Sequence, residues 1–139
     1  MYQILSLITT AFFISACSDN ASVVVFDKNI TQTEISCMQL RVWPPDATIE
    51  KYLQRQYSFD GNCSYLLEVS TKNGITCNSN QNVQTKALGT FPTSYIKMEI
   101  LREKTLAYSY YKDLQGDVEL SDVKRACDRM GEDLLFFSK

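Results

Sequence analysis

The sequence predicts a single small α+β domain, an antiparallel or mixed sheet of about five strands with two helices, stapled by two disulfides. Three observations lead there. Short runs of alternating apolar and polar residues recur along the chain. Two segments carry apolar residues at helical spacing behind an N-cap residue. Four cysteines, Cys37, Cys63, Cys77 and Cys127, are spread through the body of the chain at gaps of 26, 14 and 50 residues, without the close pairs of a metal site.

Val23 to Phe26 is a β-branched run and reads as a strand. Asn29 to Glu34 is polar and turn-like. From Cys37 to Trp43 the chain alternates, with Met38, Leu40 and Val42 on one side and Gln39 and Arg41 on the other, as a half-buried strand does. Pro44-Pro45 stops it. Asp46 then caps a helix over 47–57 that places Ile49, Tyr52, Leu53 and Tyr57 along one stripe. Phe59 to Asn62 is a turn. Asn73-Gly74 stands between Tyr65–Val69 and Ile75–Cys77, a strong hairpin signal, and predicts paired strands over about 64–79. The polar stretch 78–90 reads as a loop with one candidate edge strand around Val83. Tyr95–Arg102 and Thr105–Lys112 form a second hairpin about Glu103-Lys104. Ile96, Met98 and Ile100 share one face of its first strand; Leu106, Tyr108 and Tyr110 share one face of its second.

Leu114 to Leu120 is a loop containing Gly116. Ser121 reads as an N-cap, with Asp122 in the first turn, where the helix dipole favours it. Val123, Ala126, Cys127, Met130 and Leu134 then form a helical stripe. Residues 131–139 read in two ways: the helix continues, or Gly131 ends it and Leu134 to Phe137 become a terminal strand. No repeat, low-complexity segment or second domain is visible.

Composition excludes several function classes. Of 139 residues, 14 are basic and 16 acidic, a net of −2, and a nucleic-acid partner needs a basic face. The chain has no histidine, which removes Ser-His-Asp and Cys-His catalysis and most zinc sites. There is no G-x-S-x-G, Walker A or G-x-G-x-x-G pattern. The carboxylates Asp60, Glu68, Glu99, Asp113, Asp117, Asp122, Glu132 and Asp133 fall in no recognisable motif and read as surface charge. The expectation is a non-enzyme with no metal and no cofactor.

Ile4 to Ala16 is an apolar run broken only by small hydroxyls, too short to span a bilayer, which takes about 20 residues. It ends in Ile14-Ser15-Ala16-Cys17: an aliphatic residue, two small ones, then cysteine. This resembles the lipobox of bacterial lipoproteins. The resemblance implies that residues 1–16 are a signal peptide removed on export, that Cys17 is the acylated mature N-terminus, that 17–21 is a lipidated tether, and that 22–139 is a globular periplasmic domain. Ser18 is similar to the family's outer-membrane sorting pattern, so the outer membrane is expected over the inner.

In an exported domain the other four cysteines read as two disulfides. If the 64–79 hairpin forms, Cys63 and Cys77 lie roughly 20 Å apart, and a bridge needs Cα atoms within about 7 Å. That leaves 37–63 with 77–127, or 37–77 with 63–127. The first is preferred: Cys37 and Cys63 each start a strand on either side of a helix, and a right-handed crossover places two such starts at one end of a sheet.

Five aromatics are candidate binding residues: Trp43, Tyr95, Tyr108, Tyr110 and Tyr111. Tyrosine and tryptophan are favoured at interfaces. The competing reading is packing: a core plug for Trp43 beside Pro44-Pro45, and cross-strand pairs for the tyrosines. Alternation puts Tyr108 and Tyr110 on one face and Tyr111 on the other. Lys97, Glu99, Arg102, Glu103 and Lys104 read as the solvated face of the second hairpin, shielding a sheet edge.

The function expected is a membrane-anchored periplasmic lipoprotein acting as a non-enzymatic protein-binding module. Its partners would be the membrane, through the N-terminal lipid, and another envelope or toxin protein. Two further expectations stay open: an immunity, inhibitor or exclusion lipoprotein, and an accessory subunit of a secretion or pilus machine.

Overall fold

A computed structural model describes residues 20–76 and 91–136. It contains β1 (Ser22–Val25), a 3-10 turn (Lys28–Thr31), β2 (Gln39–Trp43), α1 (Ala47–Gln56), β3 (Tyr65–Lys72), β4 (Ser94–Arg102), β5 (Thr105–Leu114) and α2 (Leu120–Asp133). The five strands form one mixed sheet in the order β1-β5-β4-β3-β2. Only β2 and β3 are parallel, joined by α1 as the crossover; the other neighbours are antiparallel. The expected α+β domain with a mixed sheet and two helices is therefore present.

One face of the sheet is buried. Leu67, Val69, Ile96, Met98, Ile100, Tyr108 and Tyr110 point into a core closed by Ile49 and Leu53 of α1 and by Val123, Ala126, Cys127 and Met130 of α2. Each fully buried aliphatic side chain contributes about 1.5–3 kcal/mol. Asp46 caps α1 as its position suggests, its Oδ1 accepting from the N–H groups of Thr48 and Ile49 at 2.8 and 3.1 Å. The β4–β5 turn places Glu103 and Lys104 at φ +48 and +71, the two left-handed residues of a tight primed hairpin turn. A bulge beside Ile100 leaves Ala107 and Tyr108 both buried.

The crossover argument holds for one bridge. Cys37 and Cys63 are disulfide-bonded with Cα atoms 5.9 Å apart, tying the lead-in to β2 to the lead-in to β3. The second bridge is not found. Cys127 is a buried free thiol on the apolar stripe of α2, where it packs as a small hydrophobe. Cys77 lies outside the described residues, as do the candidate strand at Val83 and the N-terminal residues 1–19.

The Asn73-Gly74 hairpin is also corrected. Gly74 does turn the chain at φ +65, but Ile75 is not in a strand. The antiparallel partner of β3 is β4, which matches it over eight residue pairs. Ile75-Thr76 is followed by a polar run and offers β3 no apolar face of comparable length. Instead the Ile75 N–H donates to Thr93 O at 2.7 Å, and Asn73 Oδ1 accepts from the Val118 N–H at 2.8 Å.

Two smaller corrections follow from the same geometry, and one of the two readings left open for the C-terminal segment is settled as far as Phe136. β4 is interior, so its charged residues shield no edge; the edges are β1 and β2. Glu119, not Ser121, is the N-cap of α2, because Asp122 reaches back to the Glu119 N–H at 2.9 Å and starts the helix earlier. Finally, α2 runs through Gly131 to Asp133, after which Phe136 makes a single parallel bridge to Ile35; Phe137 lies outside the described residues.

Candidate functional site

Both helices among the described residues cover the same face of the sheet, and no described element lies over its other face. Register fixes what that face displays. Opposed residues across the strands share a side, which aligns Trp43 with Ser70, Lys97, Tyr111 and Ser22 in one row across all five strands. The next row toward one end holds Lys72, Tyr95 and Asp113. The row on the other side holds Arg41, Glu68, Glu99, Ser109 and Val24.

Three of the five candidate aromatics meet here. Trp43 is 66% exposed, which rules out a core plug. Tyr95 and Tyr111 pack side by side, ring centroids 5.5 Å apart. Trp43, Pro44, Ser70, Lys72, Tyr95 and Lys97 line a shallow open groove. Tyr108 and Tyr110 are instead fully buried on the helix-covered face, and packing accounts for both. The Tyr108 hydroxyl donates to Asp133 Oδ2 at 2.8 Å, so it also locks β5 to the end of α2.

The electrostatics of the open face are paired. Glu68 and Glu99 stand opposite each other, a like-charge arrangement that is unfavourable alone. Each has its own cation: Arg41 lies 2.7 Å from Glu68, and Lys97 lies 3.3 Å from Glu99. Tyr111 donates to Asp113 Oδ1 at 2.7 Å, and that bond, aided by partial burial, pushes its phenol up to about 12. The phenol is thus neutral and a fixed donor at physiological pH. The result is a solvated charge ladder beside an aromatic patch, suited to contact with another molecule.

The other chemistry-bearing cluster lies between the helices. Burial pushes the Cys127 thiol up to about 12, against the opposing pull of the Tyr57 hydroxyl beside it. The thiolate is the form that attacks or ligates, and the burial that raises this thiol leaves very little of it at neutral pH. Among the described residues no group of three or more Cys, Asp or Glu side chains is placed to hold a metal ion.

Sequence reasoning missed Ser70 and Lys72, which complete the groove. Both carry the alternation phase of Glu68, but their alignment with Trp43 and Tyr95 depends on register, and the mistaken hairpin had put another strand there. Set against known protein families, curated proteins and solved structures, the chain matches none.

Proposed function

We propose that this chain is a membrane-anchored periplasmic lipoprotein that binds a protein partner through its open sheet face and catalyses no reaction. The anchor is the acylated Cys17 of the Ile14-Ser15-Ala16-Cys17 motif. Among the described residues no helix is long and apolar enough to cross a membrane.

The observation that supports a binding role is the grouping of Trp43, Tyr95 and Tyr111 on a face that no helix among the described residues covers. Exposed tryptophan and tyrosine on a rigid sheet lose little conformational entropy on contact and supply most of the binding energy in typical interfaces. The ion pairs around them are solvent-facing and serve register and specificity more than affinity.

A photo-crosslinking residue in place of Ser70, at the centre of the groove, tests this reading in intact cells. The expected result is one discrete adduct that disappears in the Trp43→Ala and Tyr95→Ala variants. Its identity then separates a toxin or lytic enzyme from a component of an envelope machine. An adduct pattern indifferent to those substitutions, or turnover of an envelope substrate by the purified protein, would defeat the reading.

A further inference from the structure

We infer that the domain stands on its β1 edge, with Val24, Val25 and Phe26 seated in the interfacial layer of the phospholipid bilayer. This rests on the lipoprotein reading above and adds an orientation to it.

Val24, Val25 and Phe26 are consecutive, large, apolar and exposed, at 44%, 38% and 56%. They lie along and just past an edge strand, β1, which has no sheet neighbour on its outer side among the described residues. Edge strands are ordinarily guarded by charge or proline, yet the stretch Asn20 to Phe26 carries neither.

The exposure is two-sided. Val24 opposes Ser109 and takes the open face; Val25 opposes Tyr108 and takes the face the helices occupy further in. A rigid partner laid on one face would cover only one of them. A fluid layer covers both.

Chain length selects that layer as the occupant. Cys17 precedes Ser22 by five residues, and a fully extended chain covers at most about 3.3–3.6 Å per residue, so β1 starts within roughly 17 Å of the acylated sulfur. β1 is the first strand after that residue in the chain. Amphipathic elements at such a boundary insert about 5–10 Å, a depth one strand's side chains can reach.

The opposite edge, β2, lies four strand spacings away, about 19 Å from β1. Trp43 is thereby carried clear of the bilayer, and the groove of the proposed partner site stays open to the periplasm.

Trp43 is the only tryptophan in the chain, so fluorescence reads both ends of the sheet. The acylated protein is reconstituted into phosphatidylethanolamine–phosphatidylglycerol vesicles, and flotation establishes that it is attached. Nitroxide-labelled lipids then probe native Trp43, and separately Phe26→Trp and Val24→Trp, each in a Trp43→Phe background checked for native circular dichroism. The expected result is blue-shifted, quenched emission at the two β1 positions and unquenched emission from Trp43.

Solvent-like, unquenched emission from both β1 variants in floated protein overturns the seating and leaves the anchor intact. Unquenched but blue-shifted emission with a dimeric mass assigns the edge to a second copy and also overturns it. Failure to incorporate fatty acid and to float removes the lipoprotein reading, and this inference with it.

Discussion

Replacing Cys37 and Cys63 together with alanine removes the one cross-link found among the described residues. The bridge spans a sequence separation of 26, and the chain-entropy relation gives it about 3.5 kcal/mol of stability, exerted by restricting the unfolded chain. It closes the β2–α1–β3 crossover, the only parallel connection in the described sheet. For a domain of roughly 100 residues a loss of 1 kcal/mol lowers the melting temperature by about 5 °C, so the double variant should melt about 15–20 °C below the parent. Thermal unfolding followed by circular dichroism checks this, with the parent under reductant as an independent route to the same state. A parent whose melting point is unmoved by reductant, or a double variant within a few degrees of it, would refute the reasoning.

Gly131 lies inside α2 with nothing within 4 Å of a Cβ built on it, so Gly131→Ala should stabilise by about 0.5–1 kcal/mol, seen as a higher urea midpoint; a lower midpoint would mean that α2 is not helical there. Tyr108→Phe removes the hydrogen bond to Asp133 in a fully buried residue and should cost about 1–2 kcal/mol in urea unfolding, whereas an unchanged midpoint would show that the bond is not made. Tyr111 is raised to about 12 chiefly by its hydrogen bond to Asp113, and Tyr57 and Tyr108 are raised chiefly by burial, all from an ordinary value of 10.0. Their neutral forms belong to the folded state, so this stabilisation is complete below pH 10 and is lost as pH rises above it, for Tyr111 by about pH 12 and for Tyr57 and Tyr108 at still more alkaline pH. Tyrosinate absorbance should show delayed ionisation in native protein and an alkaline unfolding step; normal titration of every tyrosine in the folded state would contradict it.

Much of the fold was legible because its signals are local. Asp46 capping, the Val123–Leu134 stripe and the Tyr95–Lys112 hairpin each depend on residues within a few positions of one another. The 37–63 bridge was also legible, since the handedness of a crossover fixes where two strand starts meet. The errors came where local chemistry competed with a longer-range partner. Asn73-Gly74 makes its turn, yet eight pairs with β4 outweigh two residues of Ile75-Thr76. Cys127 sits correctly on its helical stripe, but that stripe faces the core, and the interior position makes it a packing residue rather than half of a bridge.

The candidate site was half legible for the same reason. Alternation separated Tyr111 from Tyr108 and Tyr110 without any structure. It could not align Trp43 with Tyr95, because those two residues are brought together by pairing between strands more than twenty residues apart in sequence. Trp43 also illustrates a limit of composition: a tryptophan before two prolines packs inward or projects outward depending on which edge of the sheet it ends, and β2 is an outer edge.

Export and acylation are the claim on which location, partner class and orientation all depend. Intact-mass analysis of the protein taken from cell membranes tests it in one measurement. The account predicts a chain that begins at Cys17, heavier than its amino acids by a glyceride-linked lipid, with the Cys37–Cys63 bridge intact. An unmodified chain still carrying Met1, with Cys17 as a free thiol, would contradict it.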